Sequence, residues 1–197
     1  MTHNKVSISG VIESDFMLDH EYTNEKFYQF LLSVRRSSGA TDTLPVIVSD
    51  RLINVSKNMI GQYVAIEGEF RSFNYHELDK TRLLLYIFPQ IITLIDEPKN
   101  TNDILLQGTI CKEPVFRETP NGRIITDILL AVSRNYHKSD YIPCIAWGRN
   151  AYVISLLNTG TGIRVAGRVQ SRDYSKNGTI KTAYEMSINL VELTEGS

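Results

Sequence analysis

Apolar residues recur at every second position over several stretches of this chain, and that alternation predicts strands. From Ile163 to Tyr174, Ile163, Val165 and Val169 fall on one face, while Arg164, Arg168, Gln170, Arg172 and Tyr174 fall on the other. Ile104 to Lys112 alternates around Gly108, a residue at which a strand can bend sharply. Ile124 to Ser133 and Tyr141 to Trp147 are β-branched and aromatic runs, and Ile180 to Leu193 closes the series. Thr119-Pro120-Asn121-Gly122 and Asn177-Gly178 are turn signals between strands. Asn150 to Leu157 suits two helical turns, stopped by Asn158-Thr159-Gly160. The predicted order is β-β-β-α-β-β.

The first half repeats the second. Phe30-Leu31-Leu32-Ser33-Val34 echoes Ile128-Leu129-Leu130-Ala131-Val132, and the same offset pairs Gly10 with Gly108, Pro45 with Pro143, Ile47 with Ile145 and Arg51 with Arg149. After one residue of slippage Gly68 pairs with Gly167, Phe70 with Val169 and Tyr75 with Tyr174. Chance does not hold one register so long, so the chain reads as a duplication. Arg51 to Met59 then stands as the first half's helix and Val64 to Phe73 as its fourth strand. A polar linker, Asp96-Glu97-Pro98-Lys99-Asn100-Thr101-Asn102, separates domains expected over residues 1–97 and 103–197. Five short strands with a helix between the third and fourth predict an all-β chain of two tandem OB-folds, each a five-stranded Greek-key barrel with one short helix. A plain β-sandwich is the alternative, and the placed helix argues against it.

Composition alters this picture little, and charge alters it more. The chain has 197 residues, ample for two small β domains, and a formal net charge of −1. Split by half, residues 1–98 hold 9 Lys and Arg against 13 Asp and Glu, a balance of −4; residues 99–197 hold 12 against 9, a balance of +3. Such asymmetry points weakly to polyanion binding by the second half. Cys111 and Cys144 lie in predicted strands and read as buried thiols. His3, His20, His76 and His137 are scattered, with no metal spacing, and no nucleotide loop or nucleophile motif is present. A binding protein, not an enzyme, is expected, without cofactor or metal. With no secretory h-region or membrane-length apolar run, a cytoplasmic location is the default.

The second half offers what an unpaired strand needs, cations for phosphates and aromatic faces for bases. Arg164, Arg168, Gln170, Arg172 and Tyr174 form a row that suits no barrel core, followed by Lys176. Tyr141 and Trp147 share a face of the third strand, and Tyr136 ends the second strand beside Arg134 and Lys138. Taken singly, Trp147 suits core packing as well as stacking, and Arg164 suits a solubilising role; the constellation is more specific than any member.

Ile104 to Leu193 resembles the DNA-binding domain of bacterial single-stranded DNA-binding proteins. The resemblance is carried by Thr119 to Gly122, Leu130 to Arg134, Asp140 to Arg149 and Gly167 to Tyr174. It implies binding of single-stranded DNA without sequence preference, in replication, recombination or repair, in the nucleoid-containing cytoplasm. It also implies that Tyr136, Tyr141, Trp147 and Tyr174 are the four base-stacking positions. Tandem-barrel members of the family pair into dimers presenting four barrels, so a homodimer is expected. The family usually ends in an acidic tail that recruits replication and repair proteins; this sequence stops at Thr194-Glu195-Gly196-Ser197, so the expectation is a form without it.

The first half departs from the pattern. Ser38, Thr43 and Ser49 stand where the second half has Tyr136, Tyr141 and Trp147, and Glu69 stands for Arg168. Weak binding is expected there, with Arg35, Arg36, Arg71, Phe73 and Tyr75 as secondary contacts and a structural or self-association role as the main work. Other readings compatible with the sequence are a primosomal accessory protein acting mainly through protein contacts, an RNA-binding barrel, and an interaction-only module.

Overall fold

The computed structural model describes residues 3–77, 80–135, 138–176 and 178–194. The chain divides into two compact units, Lys5–Asn102 and a second built on the residues from Asp103 onward together with the N-terminal residues through Asn4.

The first unit contains β1 (Asn4–Ile12), β2 (Met17–Tyr22), β3 (Glu25–Arg35), β4 (Thr41–Ser49), β5 (Tyr63–Glu77) and β6 (Lys80–Ile95). Its strands run in the order β2-β3-β4-β6-β5-β1, and β3 also pairs with β1. That extra pairing, Val11 with Ser33 and Ile12 with Leu32, closes five strands into a barrel and leaves β2 as an added edge. The second unit contains β7 (Asn102–Ile110), β8 (Val115–Glu118), β9 (Ile124–Arg134), β10 (Lys138–Trp147), α1 (Gly148–Ser155), β11 (Gly162–Lys176) and β12 (Thr179–Leu193). Its order is β7-β11-β12-β10-β9-β8, closed by Thr109 with Ala131 and Ile110 with Leu130. Both barrels carry one parallel pair, β4 with β6 and β10 with β12. This is the OB-fold topology, twice.

Closure explains the paired glycines of the repeat. A Cβ on Gly108 would lie 2.3 Å from the carbonyl oxygen of Ala131, and one on Gly10 would lie 2.4 Å from that of Ser33. Only a residue without Cβ lets β7 approach β9, or β1 approach β3, at the seam. The cores follow from alternation. In the second unit Leu106, Leu130, Val132, Ile142, Val165, Val169 and Met186 all point inward and are buried. Helix α1 caps this core with Ala151 and Ile154, and the buried Thr126 hydroxyl donates to the Ala151 carbonyl at 2.7 Å.

One expected element is absent. Residues 51–59 form successive turns instead of a helix. The reason is local: Asn54 Oδ1 accepts from the Ser56 backbone N–H at 3.2 Å, and Asn58 Oδ1 accepts from that of Ile60 at 3.0 Å. These side-chain bonds offer the backbone an alternative to helical pairing, and the β-branched Ile53 and Val55 add little helix propensity. In the second unit the helix does form, starting two residues earlier than predicted, at Gly148, whose φ is 54°.

Candidate nucleic-acid interface

Strand β11 pairs with β12 over its whole length, and an extra residue, Asn189, is accommodated opposite Ala166 and Gly167. The irregularity falls on β12, so the alternation of β11 is unbroken. Ile163, Val165 and Val169 enter the core, and Arg164, Arg168, Gln170, Arg172 and Tyr174 share the outer face. Directly across on β12 stand Ser187 opposite Arg168, Glu185 opposite Gln170, and Lys181 opposite Tyr174. Strand β10 runs parallel on the other side of β12, Ile145 beside Ser187. Its outward positions include Tyr141 and Trp147, six residues or roughly 20 Å apart along the strand.

Trp147 is half-buried, and its indole N–H donates to Ser187 Oγ at 3.2 Å. That bond fixes the ring beside the β11 cations through the one residue that faces both Ile145 and Arg168. Tyr141 is 39% exposed and Tyr174 37%, so both retain free surface for a ligand. The outer face therefore joins three aromatic side chains with a cationic row.

The cations are less free than their sequence suggests. Arg164 Nη2 donates to Gln107 Oε1 at 3.1 Å. Arg168 Nη2 donates to Gln170 Oε1 at 2.8 Å, and Gln170 Nε2 donates to Glu185 Oε1 at 2.8 Å. Arg172 reaches the same carboxylate, Nε to Oε1 at 3.4 Å and Nη2 to Oε2 at 3.5 Å. Gln170 is itself buried and serves as a bridge.

Arg134 and Lys138 stand opposite each other in the β9–β10 hairpin, on the side that continues the barrel interior and not the face of Tyr141 and Trp147. Arg134 Nη1 lies 3.6 Å from Asp140 Oδ1, whose side chain is 1% exposed. The first unit repeats the device at the same offset, with Arg36 Nε donating to buried Asp42 at 2.6 Å. Both arginines thus tie a hairpin to a buried carboxylate. Tyr136 lies outside the described residues; Lys176 ends β11, its side chain outside them too.

The first unit's outer face is differently built. Phe73 and Tyr75 are exposed on β5, and Arg35 is exposed at the end of β3. Arg71 is held by Glu69, Nε to Oε2 at 2.8 Å, and its guanidinium sits 3.8 Å over the Phe88 ring. Phe88 stacks on Phe27 at 5.8 Å, and Phe27 on His20 at 4.7 Å. His20, Phe27 and Phe88 escaped the sequence reading because it compared positions with the second half's aromatics, whereas these rings occupy other strands. Glu185 and Ser187 were missed as well. The signal for Glu185 was available, since a charge at an outward position of β12 faces the basic row of β11.

The single-strand binding protein family model matches residues 101–194. The chain is 36% identical over 80 residues to Single-stranded DNA-binding protein A of Bacillus subtilis, covering 37% of this chain and 46% of that protein. It is 35% identical over 83 residues to Single-stranded DNA-binding protein 2 of Listeria monocytogenes, covering 39% of this chain and 52% of that one. The matched region thus spans about half the length of these curated relatives. In three dimensions the chain is similar to the wild-type single-stranded DNA binding protein from Thermus aquaticus, with a TM-score of 0.80 at 18% identity over 98% of this chain and 94% of that one. At that identity the likeness speaks for the fold.

Proposed function

We propose that this chain binds single-stranded DNA without sequence preference, through the outer face of β10, β11 and β12, a reading supported by the match of residues 101–194 to the single-strand binding protein family model. Bases stack on Tyr141, Trp147 and Tyr174, and the cationic row from Arg164 through Arg168 follows the phosphates. Stacking serves every base alike because every base has a π-face, and phosphate contacts carry no sequence information. The observation that carries the reading is the Trp147–Ser187 bond, which fixes an indole to the residue that stands opposite Arg168. The biological role that suits such binding is protection of exposed strands during replication, recombination or repair.

A competition assay tests the proposal. A labelled oligo-dT bound to the chain is challenged with duplex DNA, oligo-U and mixed-sequence single strands, at low and high salt. Single strands of any sequence should compete equally, duplex poorly, and affinity should fall with salt. Preference for oligo-U would favour an RNA-binding barrel, and no salt-sensitive binding at all would favour an interaction module. A homodimer presenting four barrels fits this role; light scattering of the free chain would reveal it as twice the 22.4 kDa of one copy.

A further inference from the structure

The centre of the candidate track holds an acid. Glu185 stands on the outward side of β12, its side chain 7% exposed, and it accepts from Gln170 and from both the Nε and Nη2 groups of Arg172. Arg168 joins the same network through Gln170. A carboxylate so placed is costly to bury and repels phosphate, so it calls for a reason beyond packing.

The fold does not require it. In the first unit the matching position on β6, opposite Arg71 as Glu185 is opposite Gln170, is occupied by Tyr86. The same barrel therefore accepts an uncharged ring there. What Glu185 does change is the charge that β11 presents. Two arginines flank it, and one of them, Arg172, is turned to its carboxylate although its own side chain is 47% exposed.

We infer that Glu185 is an affinity-setting residue of the track: its carboxylate holds Arg172 in the place of a backbone phosphate and withholds that cation from the bound strand. The inference rests on the single-strand reading proposed above. On this account Arg172 releases no counterion when the chain binds, because it is already neutralised in the free protein. Removing the charge of Glu185 frees the guanidinium for a phosphate.

The test uses the full chain and labelled oligo-dT, with affinity measured across a range of salt. Glu185→Gln keeps the side chain's length and its capacity to accept from Gln170 and removes the charge. It should bind more tightly at low salt, with the slope of log K against log salt steeper by about 0.7, the value for one further phosphate on a single strand. Over a fourfold rise in salt that is an extra loss of affinity of about 2.6-fold. Arg172→Ala in the unaltered background should leave the slope unchanged, and in the Glu185→Gln background it should cancel the steepening. An unchanged slope in Glu185→Gln, or a slope already shallower in Arg172→Ala alone, overturns the inference. Should Glu185→Gln fail to fold, the Arg172→Ala slope still decides, because that side chain is half-exposed. A parent chain that binds no oligo-dT at any salt would instead sink the single-strand reading.

Discussion

Replacing Arg134 by alanine separates two roles that sequence alone leaves entangled. As a cation beside Tyr136, Arg134 suits a phosphate contact; in the structure it faces the buried carboxylate of Asp140 across the β9–β10 hairpin. Removing one partner of a buried ion pair costs about 3–5 kcal/mol, because the other charge is left in a poor solvent. Three features lower that figure here. The pair is 3.6 Å apart, the Arg134 side chain is 29% exposed, and Asp140 has a further interaction. A cost of about 2 kcal/mol follows, and for a domain of this size that corresponds to a fall in melting temperature of roughly 8–16 °C. The assay is thermal unfolding of the full chain followed by Trp147 emission, which reports the second unit because the chain has one tryptophan. Oligo-dT affinity measured alongside should keep its salt slope at temperatures where the variant is folded. A transition that stays put, with a slope shallower by about 0.7, the mark of a lost phosphate contact, would show instead that Arg134 serves the bound strand and not the hairpin.

Trp147→Ala and Tyr141→Ala should each weaken oligo-dT binding by about 1–3 kcal/mol, roughly 5- to 150-fold, and Trp147→Phe should lose far less; fluorescence anisotropy of the labelled strand measures all three. Gly108→Ala should destabilise the second unit and lower its melting temperature, since the new methyl would meet the Ala131 carbonyl at 2.3 Å where the barrel closes. Burial foremost, and then the Glu185 carboxylate, pushes the Cys144 thiol well above its ordinary value of 9.0. The unfolded chain therefore loses this proton first as pH rises, so the contribution to stability is intact below about pH 9 and declines above it. Cys144→Ala should reduce the alkaline loss of urea midpoint, and a native-state thiol reagent should modify Cys111 well before Cys144.

The barrels were legible in the sequence because closure and burial write themselves into period and spacing. Gly10 and Gly108 stood out as a repeated pair inside strands, and Ile163, Val165 and Val169 fixed which side of β11 is core. The absence of a helix over residues 51–59 was not legible. The apolar content of that stretch resembles that of α1, and what decides against a helix is the side-chain bonding of Asn54 and Asn58, a matter of local geometry. The outer face was legible as a list of residue types and only partly as a site. Alternation placed Arg168 and Tyr174 on the outward face of the fourth strand and put Tyr141 and Trp147 on one face of the third, without deciding whether Trp147 is core. It could not show that Arg134 and Arg36 turn toward buried carboxylates, since such pairing depends on the hairpin bringing Asp140 and Asp42 into reach. Nor could it show the stack of His20, Phe27 and Phe88, in which a ring of the β2–β3 hairpin meets one on β6, distant in sequence.

If the second unit's outer face takes an unpaired strand against Trp147, as proposed, the indole itself reports the binding. Oligo-dT is titrated into the full chain while Trp147 emission is followed, at low and then high salt. Strong quenching that weakens as salt rises is the predicted result, because stacking on the indole and phosphate contacts along β11 then occur together. Oligo-dT binding seen by anisotropy with Trp147 emission unchanged would contradict it, and would move the strand to a surface other than the face of β10, β11 and β12.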